Sequence, residues 1–333
     1  MTPRERYFAV LGGRRPDILP RLPILMQFAA EHIGSYYGAF AADYRVLVEA
    51  NLRCAEEFGI DQLNTMSDPY RETAGFGAPI EFPHDGVPIC LKPPLEDHPD
   101  LGQLPRPDPL QAPRMRDRIE AVRAYRARAG DHYSIMGWVE GPAAEAADLR
   151  GVANFFMELI VDPEYTRALM ARCVDTAIEF ARIQVDAGAD TIGIGDAVAS
   201  QVSPKIYTSM ILPLEKRLVD ALHAMGARVR LHICGNVTHL LPGMATLGLD
   251  ILDLDHWVDL AYARRVVGPR VVLAGNVDPV ACVMHGPGDA IQSAVRGCYA
   301  AAGPPFMVAA GCEIPAPTPP ANLRALCTPI APD

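Results

Sequence analysis

The chain has 333 residues, of which half are apolar, and a formal net charge of −10. This length exceeds a typical domain, but α/β barrels reach it as one unit. The acidic balance and the lack of any Lys/Arg-rich block argue against a dedicated nucleic-acid or membrane surface, because phosphate binding needs a basic stripe.

The first residues of the chain predict a cytoplasmic protein. Residues 1–13 lack the long apolar core of a signal peptide. The longest apolar runs are strand-length, well short of the roughly 20 residues that a membrane helix needs. The eight cysteines are widely spread without close pairs, which is typical of a reduced chain rather than a disulfide framework.

Short apolar runs alternate with helical patterns along the whole chain. Eight strands are predicted, at residues 22–28, 60–66, 133–140, 191–196, 229–234, 251–254, 271–275 and 306–310. Eight βα units in one chain predict a (β/α)8 TIM barrel that forms a single domain over residues 1–333. The alternative is a doubly wound open sheet, but no G-x-G-x-x-G follows the first strand, so a dinucleotide fold has little support.

A Pro-rich segment at residues 67–114 interrupts the alternation. It follows the second strand, so we interpret it as an insertion at the active-site end of the barrel, with a small hairpin around Asp85 and Gly86. Long loops at that end often shape a binding site. Two interpretations stay open, namely an active-site lid and a loop without a functional role.

Polar side chains follow the predicted strands at the ends where barrel enzymes hold their catalytic groups. His232 and Cys234 are two residues apart, so on a strand they face the same side and can reach one metal. Cys312 lies 78 residues further on, at the end of the eighth strand. An imidazole and two thiolates suit zinc, and three protein ligands leave a fourth position open, which is the catalytic pattern.

Four further residues are candidates for the same site. Glu140 is a candidate catalytic residue, either as an exchangeable fourth ligand or as a general base, although it could instead be a helix N-terminal acid. Asp196, the second catalytic candidate, could orient His232 or line the pocket. Asn236 and Asn276 are the candidates for cofactor binding, Asn236 through the loop that follows the ligands.

Several segments resemble one known family. They are residues 231–236, 275–279, 311–315 running on to 323, 139–142 and 195–205, with the opening residues 1–6 and the step at 21–23. Together they resemble the uroporphyrinogen decarboxylase superfamily, most closely its zinc-dependent corrinoid methyltransferase branch, which includes methylcobamide:coenzyme M methyltransferases. The resemblance spans nearly the whole chain and implies a TIM barrel with Zn²⁺ held by His232, Cys234 and Cys312.

The resemblance implies an enzyme that moves a methyl group between a corrinoid and a small thiol or other methylated compound, in a direction left open. A methylcorrinoid would then be the co-substrate. No D-x-H-x-x-G motif occurs, so the cobalamin would arrive on a separate corrinoid protein or free in solution. One alternative is a decarboxylase, although residues 27–32 lack the arginines that would grip substrate carboxylates. The other is a non-catalytic, zinc-stabilised barrel that only binds a corrinoid protein.

Overall fold

The computed structural model describes residues 1–332. Its strands are β1 (Gln62–Asn64), β2 (Ile80–Glu81), β3 (Ile89–Cys90), β4 (Ser134–Glu140), β5 (Thr191–Gly195), β6 (Arg228–Ile233), β7 (Ile251–Leu254), β8 (Val272–Val277) and β9 (Phe306–Ala310). Its α-helices are α1 (Pro3–Leu11), α2 (Gln27–His32), α3 (Tyr37–Ala42), α4 (Tyr44–Phe58), α5 (Arg71–Gly75), α6 (Pro113–Ala129), α7 (Pro142–Arg150), α8 (Val152–Val161), α9 (Pro163–Asp186), α10 (Pro204–Ile206), α11 (Leu212–Ala224), α12 (Leu241–Met244), α13 (Leu260–Val267), α14 (Gly288–Ala302) and α15 (Pro320–Leu326). A 3₁₀ turn spans Ala197–Gln201, and π-helical turns span Tyr207–Ile211 and Pro279–Met284.

Seven parallel strands form one curled sheet, in the order β1, β4, β5, β6, β7, β8, β9. Almost every residue of these strands is buried, as expected for parallel strands covered by helices on one face and by the barrel interior on the other. Neighbouring strands in the sheet are successive barrel strands in the chain, and helices connect them. The predicted (β/α)8 architecture is thereby confirmed.

The eighth position of the barrel is filled by residues 20–24 rather than by a regular strand. On one side this segment exchanges two backbone hydrogen bonds of 2.7 Å with Val308 of β9, and on the other the Asp61 N–H donates to the Arg21 carbonyl at 2.9 Å. Pro23 has no N–H to add to a ladder. The prediction of a strand at residues 22–28 is therefore wrong in its second half, where helix α2 begins.

Local signals set the ends of the helices that flank the sheet. The Asp43 carboxylate accepts a hydrogen bond from the Arg45 N–H at the start of α4, and α4 ends at Gly59, whose φ is +68°. Asp162 caps α9 in the same way, ahead of Pro163.

The Pro-rich segment 67–114 contains α5 and a two-stranded antiparallel hairpin. Strands β2 and β3 pair with Ile80 opposite Cys90, and the turn between them includes the predicted Asp85 and Gly86. No helix in residues 1–332 is both long enough and apolar enough to cross a membrane.

Candidate metal centre and adjoining cavity

Three potential metal ligands meet at the carboxyl ends of β6 and β9. His232 lies within β6, Cys234 follows that strand directly, and Cys312 lies two residues beyond β9. The His232 Nε2 atom is 3.0 Å from the Cys234 Sγ and 3.9 Å from the Cys312 Sγ, and the two sulfur atoms are 3.7 Å apart. Barrel closure therefore brings together residues that are far apart in the chain.

These separations fit a tetrahedral zinc ion. With Zn–S bonds of about 2.3 Å and a Zn–N bond of about 2.0 Å, tetrahedral angles place two sulfur ligands about 3.8 Å apart and a sulfur and a nitrogen about 3.5 Å apart. Within residues 1–332, these are the three side chains whose ligand atoms all lie within 4.8 Å of one another. Hydrogen bonding from Cys234 and His232 outweighs burial and lowers the pKa of the Cys312 thiol to about 4, whereas hydrogen bonding with Cys312 and burial raise the pKa of Cys234. One sulfur of the pair is thus favoured as the thiolate that a metal requires.

Asp253 holds the other side of the His232 ring. In the parallel pairing of β6 with β7, His232 is the register partner of Asp253. The His232 Nδ1 lies 3.2 Å from the Asp253 Oδ2, and the same oxygen accepts a hydrogen bond from the Arg230 Nε at 3.1 Å. A carboxylate on the second nitrogen fixes the ring orientation and leaves Nε2 for a metal.

The Asp196 carboxylate binds backbone N–H groups of α7 rather than the His232 ring. Its Oδ1 accepts from the Ala144 N–H at 2.7 Å, and its Oδ2 accepts from the Ala143 N–H at 3.4 Å, at the start of α7. Burial raises the pKa of Asp196 to about 6, although these backbone donors oppose the change. The hypothesis that Asp196 orients His232 is therefore corrected, since its side chain binds the N-terminus of α7 and Asp253 takes the predicted place.

The side chains of Asn236 and Asn276 form hydrogen bonds within the protein's own loops. The Asn276 Nδ2 donates to the carbonyls of Asp255 and Val258, at 3.0 and 2.7 Å. The exposed Asn236 accepts from the Thr238 N–H at 3.1 Å in a local turn. Neither lines the cavity beside the metal ligands, so the structure does not support cofactor binding by these side chains.

Asp255, rather than Asn236, anchors the loop that carries Cys234. Its Oδ2 accepts from the Gly235 N–H at 2.8 Å. The loop after β9 packs closely against the same region, because a Cβ on Gly311 would lie 2.4 Å from the His256 backbone nitrogen. Only glycine permits this approach, and it places Cys312 next to Cys234.

A cavity of about 240 Å³ opens beside the three ligands. It is lined by Ile24, Met26, Met66, Asp68, Pro69, Trp138, Glu140, Gly195, Ala197, His232, Cys234, Cys312 and Glu313. Four of these, Ile24, Met26, Met66 and Trp138, pack together as an apolar wall. Of the segment 67–114, only Asp68 and Pro69 reach the cavity, so the proposed lid stays a prediction.

Glu140 stands at the cavity wall in a buried ion pair. Its Oε1 accepts from the Arg71 Nη2 at 2.5 Å and from the Trp138 Nε1 at 2.9 Å. Burial is the main cause that raises its pKa well above the usual range, and the neighbouring Glu72 and Asp148 add to it. Glu140 is not part of the three-ligand group, so its roles as an acid–base group or as a helix N-terminal acid stay predictions.

Four buried carboxyl groups, which we call the acidic cluster, surround Arg71. They are Glu72, Glu140, Glu145 and Asp148. Burial raises the pKa of Asp148 to about 8. Next to the cluster, the Asp68 carboxylate receives two 2.7 Å hydrogen bonds from Arg114. Carboxyl groups therefore outnumber guanidinium groups beside the cavity.

Several cavity residues were missed as site residues from the sequence. Trp138 fits in the barrel because Gly193 and Gly195 of β5 have no side chain, and a Cβ on either would lie within 2.7 Å of the ring. Glu313 follows Cys312 directly, and its position next to a predicted ligand was the available signal. Burial raises the pKa of Glu313 to about 7, and its side chain accepts from the Gln27 N–H at 3.2 Å.

The chain matches the sequence family described as uroporphyrinogen decarboxylase (URO-D) over residues 2–330. It belongs to that family. Among its relatives, a methylcobamide:CoM methyltransferase MtbA from Methanosarcina mazei is 28% identical over 330 residues, covering 97% of this chain and 96% of the relative. A uroporphyrinogen decarboxylase from Gloeobacter violaceus is 26% identical over 318 residues, with 89% and 88% covered.

Solved structures agree with this assignment. A methyltransferase from Methanosarcina mazei superposes with a TM-score of 0.90 at 25% identity, covering 98% of this chain and 97% of the other. A B12-independent methionine synthase from a Shewanella species superposes with a TM-score of 0.60 at 15% identity, covering 93% and 94%. The second likeness concerns the fold alone. The predicted resemblance to the uroporphyrinogen decarboxylase superfamily is confirmed.

Proposed function

We propose that this protein is a zinc-dependent methyltransferase that moves a methyl group between a corrinoid and a small thiol. The observation that carries the proposal is the convergence of His232, Cys234 and Cys312, at zinc-compatible separations, on the wall of a cavity. Relatives named as methylcobamide:CoM methyltransferases, which align over nearly the whole chain, support the same reaction.

Zinc bound by these three residues would lower the pKa of a coordinating thiol, so that the thiolate is present at neutral pH. The side chains around it have separate tasks. Asp253 keeps the His232 ring in the orientation that directs Nε2 toward the other two ligands. The apolar wall of Ile24, Met26, Met66 and Trp138 excludes water from the reacting sulfur. Glu140 lines the same cavity, and its raised pKa favours the protonated carboxyl, so it is the candidate acid–base group there.

The size of the cavity supports binding of the thiol inside it and of the corrinoid outside it. About 240 Å³ accommodates a small thiol but not a corrin macrocycle, so the corrinoid would approach from outside. The sequence has no D-x-H-x-x-G motif of its own. We therefore propose a separate corrinoid protein, or free methylcobalamin, as the methyl carrier.

Two other expectations belong to the same proposal. One apolar cluster extends from Leu19 to Ile330, which supports a single domain. The cysteines of residues 1–332 form no disulfide, which fits a reducing compartment such as the cytoplasm.

The test is substitution of the ligands. We expect His232→Ala and Cys312→Ala each to lose bound zinc and to lose methyl transfer from methylcobalamin to a thiol, because two remaining ligands bind zinc poorly. Metal analysis and the absorbance change of methylcobalamin measure the two effects, and circular dichroism checks the fold. Cys282→Ala, which removes a thiol outside the site, should keep both properties. Full transfer activity in a zinc-free variant would contradict the proposal.

Decarboxylation of a porphyrinogen has no supporting observation in this structure. Residues 27–32, where the sequence lacks arginines, form helix α2. The cavity is also far smaller than a tetrapyrrole. A barrel with a purely structural zinc would be expected to hold four protein ligands, whereas three side chains converge here within residues 1–332.

A further inference from the structure

The cavity beside the metal ligands has no cationic side chain in its wall. Of the thirteen lining residues, none is Arg or Lys within residues 1–332, whereas Asp68, Glu140 and Glu313 are acidic. An anionic group that enters a mostly apolar cavity without a cationic partner loses its hydration and gains little in return. The wall therefore disfavours a substrate that carries a negative charge.

The guanidinium groups behind the wall leave no spare positive charge. Arg71 and Arg114 do not line the cavity, and each is paired with a carboxylate that does, Glu140 and Asp68 respectively. The acidic cluster adds Glu72, Glu145 and Asp148 around Arg71. Even if three of these five carboxyl groups were protonated, the remaining two would balance both guanidinium groups.

Glu313 gives the cavity its one carboxyl group without a guanidinium partner among the described residues. Its side chain accepts a hydrogen bond from the Gln27 N–H, and among the described residues no cation is one of the groups that shift its pKa. Glu313 lines the same cavity as the candidate ligands His232, Cys234 and Cys312, so its carboxyl belongs to the space that a bound thiol would enter. A carboxyl group together with the aromatic Trp138 provides surroundings that suit an ammonium group.

We propose that the substrate of this site is a small thiol with a neutral or cationic tail, and that the site selects against thiols with an anionic tail. The inference rests on the proposed thiol-dependent methyl transfer and specifies its substrate class. It separates this chain from relatives whose names include coenzyme M, because coenzyme M is 2-mercaptoethanesulfonate and carries a permanent negative charge.

The test compares three thiols on the full-length protein loaded with Co²⁺ in place of zinc. The probes are thiocholine, 2-mercaptoethanol and 2-mercaptoethanesulfonate, whose tails are cationic, neutral and anionic. Thiolate binding to the metal is measured by the increase in sulfur-to-cobalt charge-transfer absorption above that of the Cys234 and Cys312 ligands, which does not depend on turnover. We expect thiocholine to bind at least about tenfold more tightly than the sulfonate, given the Coulomb energies at such distances.

Two variants assign the preference to the cavity. Glu313→Gln keeps the acceptor for the Gln27 N–H but removes the charge, so the ratio of thiocholine to sulfonate affinity should fall several-fold. Glu120→Gln, at a half-buried position of α6 where Glu120 pairs with Arg123, removes the same charge away from the residues that line the cavity and should leave that ratio as it is.

The outcomes distinguish failure of the proposed substrate class from failure of the proposed function. Equal or tighter binding of the sulfonate would overturn the inference while leaving thiol binding at the metal intact. If none of the three thiols increases the charge-transfer absorption, the proposed function fails, and the substrate class fails with it.

Discussion

Two buried charged regions at opposite ends of the barrel differ in how their charges are balanced. At the amino-terminal end, Arg6 and Arg21 both bind the fully buried Asp61, at 2.5 and 2.9 Å, and Arg6 also binds Asp17 at 2.7 Å. Two guanidinium groups there meet two carboxylates. At the carboxyl-terminal end, four carboxyl groups of the acidic cluster share Arg71.

The comparison distinguishes buried charges that stabilise the fold from buried charges that adjoin a candidate active site. A balanced buried network satisfies its own hydrogen bonds and fixes the geometry of the chain around it. An excess of buried carboxyl groups keeps protons bound near neutral pH and costs stability. Such an excess is found beside candidate active sites more than in structural networks, and here it adjoins the cavity.

The largest effect on stability is expected at the balanced end. Asp61→Asn leaves two buried arginines without their shared carboxylate, so we expect a loss of about 3–5 kcal/mol in the free energy of unfolding. Denaturant unfolding measures the change. Glu145→Gln is the matched substitution in the acidic cluster, where the Glu145 side chain accepts only from the Thr73 hydroxyl. There we expect a change within about 1 kcal/mol. Similar losses in the two variants would remove the distinction between the regions.

A smaller effect is expected at Asp253, which lies beneath the metal ligands. Asp253→Asn weakens the group that orients the His232 ring, so zinc affinity should fall by about 10- to 100-fold. Competition with a zinc chelator measures it. Asp196→Asn is the informative comparison, because that carboxylate contacts α7 and should leave zinc affinity nearly unchanged. The reverse pattern would restore Asp196 as the partner of His232.

The last prediction concerns how the free energy of unfolding depends on pH. The pKa of Asp148 is raised to about 8 in the folded protein, against about 3.9 for an unperturbed aspartate. The folded state therefore holds a proton that the unfolded state releases, and stability from this group declines as pH rises from about 4 to about 8. Asp148→Asn should remove this decline and stabilise the protein at pH 8 relative to wild type. Thermal unfolding at pH 5 and pH 8 tests it, and parallel pH dependence in both proteins would contradict it.

The grouping of His232, Cys234 and Cys312 was predictable from strand position. His232 and Cys234 are two residues apart on a strand, and Cys312 follows another, so the barrel hypothesis placed all three at one end. The proposal of zinc depends on the family resemblance as well. The fold was predictable for the same reason, since alternating strand and helix patterns have one common closed arrangement.

The predictions that failed depended on tertiary contacts, which the spacing of apolar residues does not specify. Asp253 lies at the end of the strand predicted at residues 251–254. Its contact with His232 depends on the register of β6 against β7, which the sequence pattern does not specify. Residues 22–28 form an apolar run typical of a strand, yet Pro23 and the packing of α2 limit the extended part. Asn276 follows β8 directly, and only the fold shows that its amide binds the loop after β7.

Closure of the barrel by residues 20–24 has a consequence for the order in which the molecule is assembled during synthesis. Arg21 pairs with Val308, so the ring of strands stays open until residue 308 has left the ribosome. Cys312 emerges later still. Because long-range pairing of this kind is slow and leaves apolar edges exposed, we expect the nascent protein to persist as an incomplete barrel, unable to retain a metal, until β9 and the loop after it dock.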